Sequence, residues 1–319
     1  MSRIVYSIII PHKNIPKLLQ RCLDSIPNRE DIEIIIVDDN SDPKIVSFSD
    51  FPGKDKKNTT IIYDKKGGGA GYAKNIGLKI AQGEKLIFAD SDDFFNYCVN
   101  EILEKYKEID FDVAYFNISA VDCFLYTNSD VDRLKYLNSL FEVYKKDRTK
   151  GLNLLRFYMG APWAKIINKS LVDRYNLRFD ETPICDDEIF AYMLGFYASK
   201  FLVEDVALYC VTTRPGSIMF SELSEEKILA KTSIISKREL FYKKHSISSQ
   251  DKFNALSVIL AKLKRDNQLE FYAKCANIVK EDGHNIQEIE QEVRQIISEE
   301  RKRQLRSRIK KTIKKIIRI

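Results

Sequence analysis

The chain has 319 residues, 44% of them hydrophobic, with 52 basic and 46 acidic side chains. This is enough to bury a sizeable core in one large domain plus an appendage, as in a soluble enzyme. The longest apolar runs, such as Ile8–Pro11 and Ile34–Val37, are far too short to cross a bilayer. The six cysteines include no Cys-x-x-Cys and the three histidines are dispersed, a pattern that fits reduced core thiols in a cytosolic protein better than disulfides or a zinc site. The net charge of +6 hides an asymmetry: residues 301–319 hold ten Lys or Arg and no acid, leaving 42 basic against 46 acidic residues in the body. A general nucleic-acid surface on the body is therefore not expected, and no nucleic-acid partner is assigned.

In chain order, the first predicted element is a strand in SIIIPHKN (Ser7–Asn14), followed by a helix through Leu18, Leu19, Cys22, Leu23 and Ile26. A second buried strand, EIIIVDDNSD (Glu33–Asp42), ends in two carboxylates, and a third, TTIIYD, covers Thr59–Asp64. A helix with Ala73, Ile76, Ile80 and Ala81 on one face leads into KLIFADSDD (Lys85–Asp93), where an apolar strand delivers Asp90, Asp92 and Asp93 to one loop. Three carboxylates this close repel one another unless a cation sits among them, and hard oxygen ligands suit Mg or Mn. Taken alone, such a turn is equally well an acidic loop with an Asp helix cap. Strands alternating with helices, each strand ending in a polar or acidic turn, predict a parallel α/β sheet that binds ligands beyond the carboxyl ends of its strands. Gly69-Ala70-Gly71 followed by Asp90 mimics a dinucleotide-binding fingerprint. However, Lys74 occupies the third glycine position, and the glycines follow the third strand instead of the first.

Further along, the apolar strand DVAYFNI closes the first half near residue 118. Residues 119–150 are polar, with a helical stretch near Leu134–Tyr144 placed as an insertion over the site. APWAKIINKSLV, RFDETPICDDEIF and TTRPGSIM follow, the last after a strand pattern at Val206–Val211. Ser224–Ile297 reads as helical with Gly283 as a break, a region that packs on the core or supports association, so a homo-oligomer is one candidate partner. In the tail, Leu305, Ile309, Ile313, Ile316 and Ile317 fall on one helical face among basic residues, which suits an anionic membrane surface; a solvated or partner-docked tail is the alternative.

The pieces IIIPHKN, IIIVDDNSD, GYAKNIGLKIAQGEKLIFADSDD, APWAKIINKSLV, RFDETPICDDEIF and RPGSI stand in the order found in family 2 glycosyltransferases of the GT-A fold, and the chain resembles that family over about residues 3 to 219. The family's Ala-Arg-Asn is Ala73-Lys74-Asn75 here and its Glu-Asp pair is Asp186-Asp187. Both changes keep the charge, but Lys74 lacks the planar fork of arginine.

The resemblance implies a Rossmann-like, mainly parallel sheet flanked by helices, with a helical C-terminal region. It divides the chain into a catalytic domain at 1–220 (nucleotide-binding half 1–118, acceptor half 119–220), helices at 221–300 and a basic amphipathic tail at 301–319. It further implies an inverting transfer of a sugar from a nucleotide diphosphate sugar, a UDP-sugar foremost, to a glycan or lipid-linked acceptor. The setting is bacterial surface-polysaccharide synthesis at the inner face of the cell membrane. Pro11, His12, Lys13 and Ser91 then line the nucleotide pocket, Asp39 accepts hydrogen bonds from uracil, and Asp38 caps its loop. Lys74 reaches the base or the diphosphate. Asp90 contacts the ribose or a metal-bound water, Asp92 holds Mn or Mg, and Asp93 caps the following helix. Asp187 is the general base, with Asp186 its positioning or acceptor-binding neighbour. Trp163 stacks on a sugar or, more in keeping with its surroundings, fills the core. Arg214 belongs to a loop that closes over the diphosphate, hinged at Pro215-Gly216. A nucleotide-sugar-binding subunit without turnover is the competing reading; the intact acids at 90, 92 and 187 argue against it.

Overall fold

The computed structural model describes residues 3–129, 131–214, 224–247 and 254–317, with side chains as far as residue 303. The chain divides into two compact units, 1–221 and 222–319.

The first unit is built on an eight-stranded sheet of β1 (Tyr6–His12), β2 (Ile32–Asp39), β3 (Thr59–Asp64), β4 (Lys85–Phe88), β5 (Phe94–Phe95), β6 (Val113–Asp122), β7 (Lys165–Asn168) and β8 (Phe201–Thr213), in the order β3-β2-β1-β4-β7-β6-β8-β5. The expected parallel half is β3-β2-β1-β4, in register from Tyr6 opposite Ile32 and Lys85. Beyond β4 the sheet is mixed. β7 runs antiparallel to both β4 and β6, β6 pairs parallel with β8 through two register shifts, and β5 is antiparallel to β8. β1 and β4 are buried along their whole length. Their uninterrupted apolar runs are what a sheet covered on both faces requires.

The helices of this unit are α1 (Pro16–Asp24), α2 (Gly69–Ile80), α3 (Val99–Tyr106), α4 (Asp132–Lys146), α5 (Arg148–Tyr158), α6 (Lys169–Arg174) and α7 (Glu188–Tyr197). α1 starts on Pro16, a residue suited to the first turn because its missing N–H has no helical partner there. It buries Leu19, Cys22 and Leu23. α2 lies so close to β1 that a Cβ at Gly77 would stand 2.5 Å from Ile9 Cγ2. At its other end a Cβ at Gly71 would stand 2.0 Å from the Asp180 carbonyl oxygen and 2.9 Å from Asp186 Cβ. Only glycine permits this second approach, and it brings the 180–187 segment onto the nucleotide-binding half.

The second unit contains α8 (Glu225–Lys244), α9 (Ala255–Arg265), α10 (Leu269–Glu281) and α11 (Ile286–Ile317) around a core of its own that includes Leu256, Leu260, Cys275, Val279, Ile289 and Val293. The break between α10 and α11 falls at Gly283, whose φ of +96° lies in the left-handed region that favours glycine. Among the described residues no helix is long and apolar enough to cross a membrane.

Candidate active site

The first group of functional side chains stands where β1 and β2 end. His12 and Asp38 are fully buried, with His12 Nδ1 2.8 Å from Asp38 Oδ1. The Ile15 amide donates to His12 Nε2, so Nδ1 carries the proton and donates to Asp38. Asp38 also accepts from the Ser41 amide and hydroxyl. Burial alone would raise the Asp38 carboxyl, but the bonds from His12 and Ser41 outweigh it and hold the group below the ordinary range. Asp38 thus caps the loop, as expected. Both His12 ring nitrogens are used inside the protein, so His12 shapes the pocket from behind, next to the buried Pro11. Asp39 is buried, accepts the Gly69 amide at 3.1 Å on both oxygens, and pairs with Lys13 Nζ at 3.2 Å; Lys13 itself is half exposed. Pro11–Lys13, Asp39 and the glycine turn entering α2 therefore form one wall.

The second group follows β4. The Asp90 amide donates to the Tyr209 hydroxyl at 2.8 Å, and Ser91 is buried. The Asp90 carboxyl is raised, first by burial and then by Asp92 and Asp186, against the opposing charge of Lys74. The Asp92 carboxylate accepts Arg214 Nε at 3.0 Å, both side chains being 21% exposed. Asp93 does not cap a helix. The chain continues into β5, α3 begins only at Val99, and the buried Asp93 carboxylate accepts the Thr212 amide of β8 at 2.7 Å. Asp93 therefore stitches the acidic loop to β8. Trp163 is 6% exposed and stacks on Tyr209, ring centroids 5.7 Å apart, which gives it the core role of propping the tyrosine that meets Asp90. Pro215 and Gly216 lie outside the described residues.

The third group is at the start of α7. Lys74, 3% exposed, pairs with Asp186 Oδ2 at 3.0 Å, so its ammonium binds the acceptor-side motif instead of facing open solvent. Burial would lower this lysine, but Asp186, Asp90 and Asp187 together hold it above its ordinary range. Asp187 occupies the N-cap position of α7 without making a side-chain cap bond. Burial, reinforced by Asp186 and Glu188 and opposed by Lys74 and Arg133, raises its carboxyl to about 7.

Two cations near Asp187 escaped the sequence reading. Arg133, exposed in the first turn of α4, acts on both Asp90 and Asp187; the only sequence signal was the helical stretch placed over the site. Lys165, 1% exposed, donates to the carbonyls of Met159 and Ala161. It thereby fastens the loop carrying Trp163. Burial lowers Lys165 to about 7 against the charge of Asp187.

Among the described residues no group of three or more His, Cys, Asp or Glu could hold a metal without help. Asp90 and Asp92, two carboxylates close enough for Asp92 to raise the Asp90 carboxyl, fit the other arrangement, in which one or two carboxylates share a hard cation with substrate phosphates.

A profile described as glycosyl transferase family 2 matches residues 7–175. Glycosyltransferase GlyG of Streptococcus pneumoniae is 30% identical over 234 residues, covering 70% of this chain and 75% of that protein. The poly(ribitol-phosphate) beta-glucosyltransferase of Bacillus spizizenii is 34% identical over 228 residues, which are 67% of this chain but only 33% of that enzyme. The chain belongs to glycosyl transferase family 2. Its fold is similar to that of Staphylococcus aureus TarS 1–349, solved in complex with UDP-GlcNAc, with a TM-score of 0.56 at 20% identity over 86% of this chain and 90% of that one. The GT-A-type sheet flanked by helices, with further helices at the C-terminus, is thus the architecture present here.

A base with a carboxyl at about 7 is active only when deprotonated. If Asp187 is that base, the transfer rate rises tenfold per pH unit below about 7 and levels off above it. Asp187→Asn transfers nothing while still binding donor. A pH–rate profile with donor saturating checks this; transfer by the variant near the wild-type rate removes Asp187 from the role and makes Asp186 or Glu188 the next candidate.

Proposed function

We propose that the chain is an inverting, metal-assisted glycosyltransferase that moves a sugar from a UDP-sugar to a glycan or lipid-linked acceptor in bacterial surface-polymer synthesis. The observation that carries this reading is the meeting of the Asp90–Asp92 loop with Asp186–Asp187 around the buried Lys74. The names of the relatives support the polymer setting, and the UDP-GlcNAc complex of TarS supports the donor class.

In this mechanism the wall formed by Pro11–Lys13 and Asp39 receives the nucleotide, and Ser91 lines its floor. Lys13 and Arg214 offer positive charge to the diphosphate. Asp92, with Asp90 beside it, would hold Mn or Mg. A bound divalent cation supplies Lewis-acid stabilisation of the departing nucleotide diphosphate. Asp187 takes the proton of the acceptor hydroxyl while that oxygen attacks the anomeric carbon and the bond to the diphosphate oxygen breaks. Asp186, held by Lys74, keeps the loop in place. One base and one in-line attack invert the anomeric centre, so an α-linked donor gives a β-linked product.

A donor screen tests the reading: with Mn or Mg, free UDP is released from at least one UDP-sugar, slowly even without acceptor. Release from GDP- or dTDP-sugars alone contradicts the nucleotide assignment. Asp92→Asn keeps the side chain's shape, lowers activity by about 10²-fold or more, and weakens UDP binding in the presence of Mn. Calorimetry showing unchanged Mn-dependent UDP binding in the folded variant refutes the role given to Asp92.

The tail is assigned to an anionic membrane surface at the cytoplasmic face, a reading supported by its apolar stripe among ten basic residues and by a helical backbone that continues to Ile317. Truncation after Glu300 abolishes salt-sensitive sedimentation with anionic vesicles and spares turnover of a water-soluble acceptor analogue. Equal sedimentation of the full and truncated chains rules the tail out as the anchor.

A further inference from the structure

The acidic loop is also held from beneath, by a residue outside every motif discussed above. Arg21 lies in the last turn of α1 with its side chain half buried. Its Nη2 donates to the Asp92 carbonyl oxygen at 2.5 Å, and Nη1 donates to the Cys123 carbonyl at 3.0 Å and the Tyr126 hydroxyl at 3.4 Å. The Thr212 hydroxyl, 3.5 Å from Nη2, itself donates to the Asp92 carbonyl at 2.6 Å. The guanidinium plane is covered by Phe94, 5.1 Å from the ring centroid, and Nε is buried without an acceptor. One side chain thus fastens together α1, the acidic loop, the turn after β6 and the end of β8.

None of these acceptors is a carboxylate. A guanidinium ordinarily gains most from a bidentate carboxylate, and three aspartates lie within the loop it touches. Here the fork is spent on main-chain oxygens, and its shortest bond is to the carbonyl of the residue whose side chain pairs with Arg214. An aspartate has only two side-chain torsions, so the place of its carboxylate follows closely from the plane of its own peptide. Fixing that peptide fixes the carboxylate, and a misplacement of about 1 Å at a reacting centre can cost about 10²-fold in rate.

We propose that Arg21 is a positioning residue of the donor site: its grip on the Asp92 carbonyl sets the direction of the Asp92 carboxylate, on which capture of the nucleotide diphosphate with its divalent cation depends. The inference rests on the donor-site reading given under Proposed function. Thr212 supplies a second, neutral bond to the same oxygen but cannot reach the Cys123 carbonyl at the same time. Lysine would keep the charge and lose the fork.

The test is calorimetry of UDP binding, with and without Mn, on the wild type, Arg21→Met, Arg21→Lys, Asp92→Asn and the double variant Arg21→Met/Asp92→Asn. Arg21→Met weakens Mn-dependent UDP binding by about 10- to 100-fold, the range for residues that orient a metal ligand, and leaves binding without Mn unchanged. Arg21→Lys falls between. In the Asp92→Asn background, Arg21→Met adds nothing further, because the group it orients is already gone. A purely structural role lowers the melting temperature and weakens binding equally with and without Mn, in an amount that adds to the loss in Asp92→Asn. That pattern, or Mn-dependent binding in Arg21→Met equal to wild type, overturns the inference. Should Arg21→Met fail to fold, Arg21→Lys is judged by the same two criteria. Wild-type UDP binding that ignores Mn defeats the donor-site reading itself, and the inference with it; this outcome is recognised by the wild type alone.

Discussion

The buried ion pair between Lys74 and Asp186 is the contact on which the arrangement of the site depends. It joins α2, which packs on β1, to the segment entering α7, and it lies where Gly71 leaves no side chain between the two. An ammonium taken out of water loses its hydration, and only well-placed anions restore the balance. Removing one partner from such a pair typically costs about 3–5 kcal/mol because the other charge is left stranded. The pair therefore works as a clamp: it ties Asp186, and through the chain its neighbour Asp187, to the helix that packs beside the acidic loop.

The clamp also sets the electrostatics. Five carboxylates, at 90, 92, 93, 186 and 187, crowd the carboxyl end of β4 and the start of α7, and their mutual repulsion adds to burial in raising Asp90, Asp93 and Asp187. Lys74 opposes this from the centre and Arg133 from the rim, while Arg214 sits on Asp92. The roles then separate by environment. Asp93 is deeply buried, carries a strongly raised carboxyl and serves as a structural tie. Asp92, partly exposed and already paired with a cation, suits sharing a cation with a diphosphate. Asp187, poised near neutrality, suits proton transfer.

The sequence made the parallel half of the sheet legible because β1, β2 and β4 are almost wholly buried and advertise it as apolar runs ending in polar or acidic turns. The helical face of α2 and the break at Gly283 were legible for similarly local reasons. What periodicity cannot report is the identity of a partner far along the chain. Lys74 meets Asp186 across 112 positions, and nothing in its neighbourhood distinguishes a buried lysine from a surface one. The insertion of β7 between β4 and β6 is equally non-local, and it adds short antiparallel pairings to the mainly parallel sheet. Asp93 looked like a helix cap because a polar residue before an apolar run commonly is one; the amide of Thr212, in a strand more than a hundred residues later, claims it instead. Arg21, Arg133 and Lys165 belong to the same class, cations whose roles exist only once the sheet has closed.

The central claim is that the Lys74–Asp186 pair, acting on top of burial, shifts the proton affinity of Asp187, the proposed base, and a pH–rate profile of two variants tests it most directly. Lys74→Gln removes a positive charge that favours ionised Asp187, so the acid limb of the profile must move to higher pH. Asp186→Asn removes a negative charge that disfavours it, so the limb must move to lower pH. Opposite displacements of the limb are the predicted result. Limbs that stay at the wild-type position in both folded variants, or that move in the same direction, contradict the account.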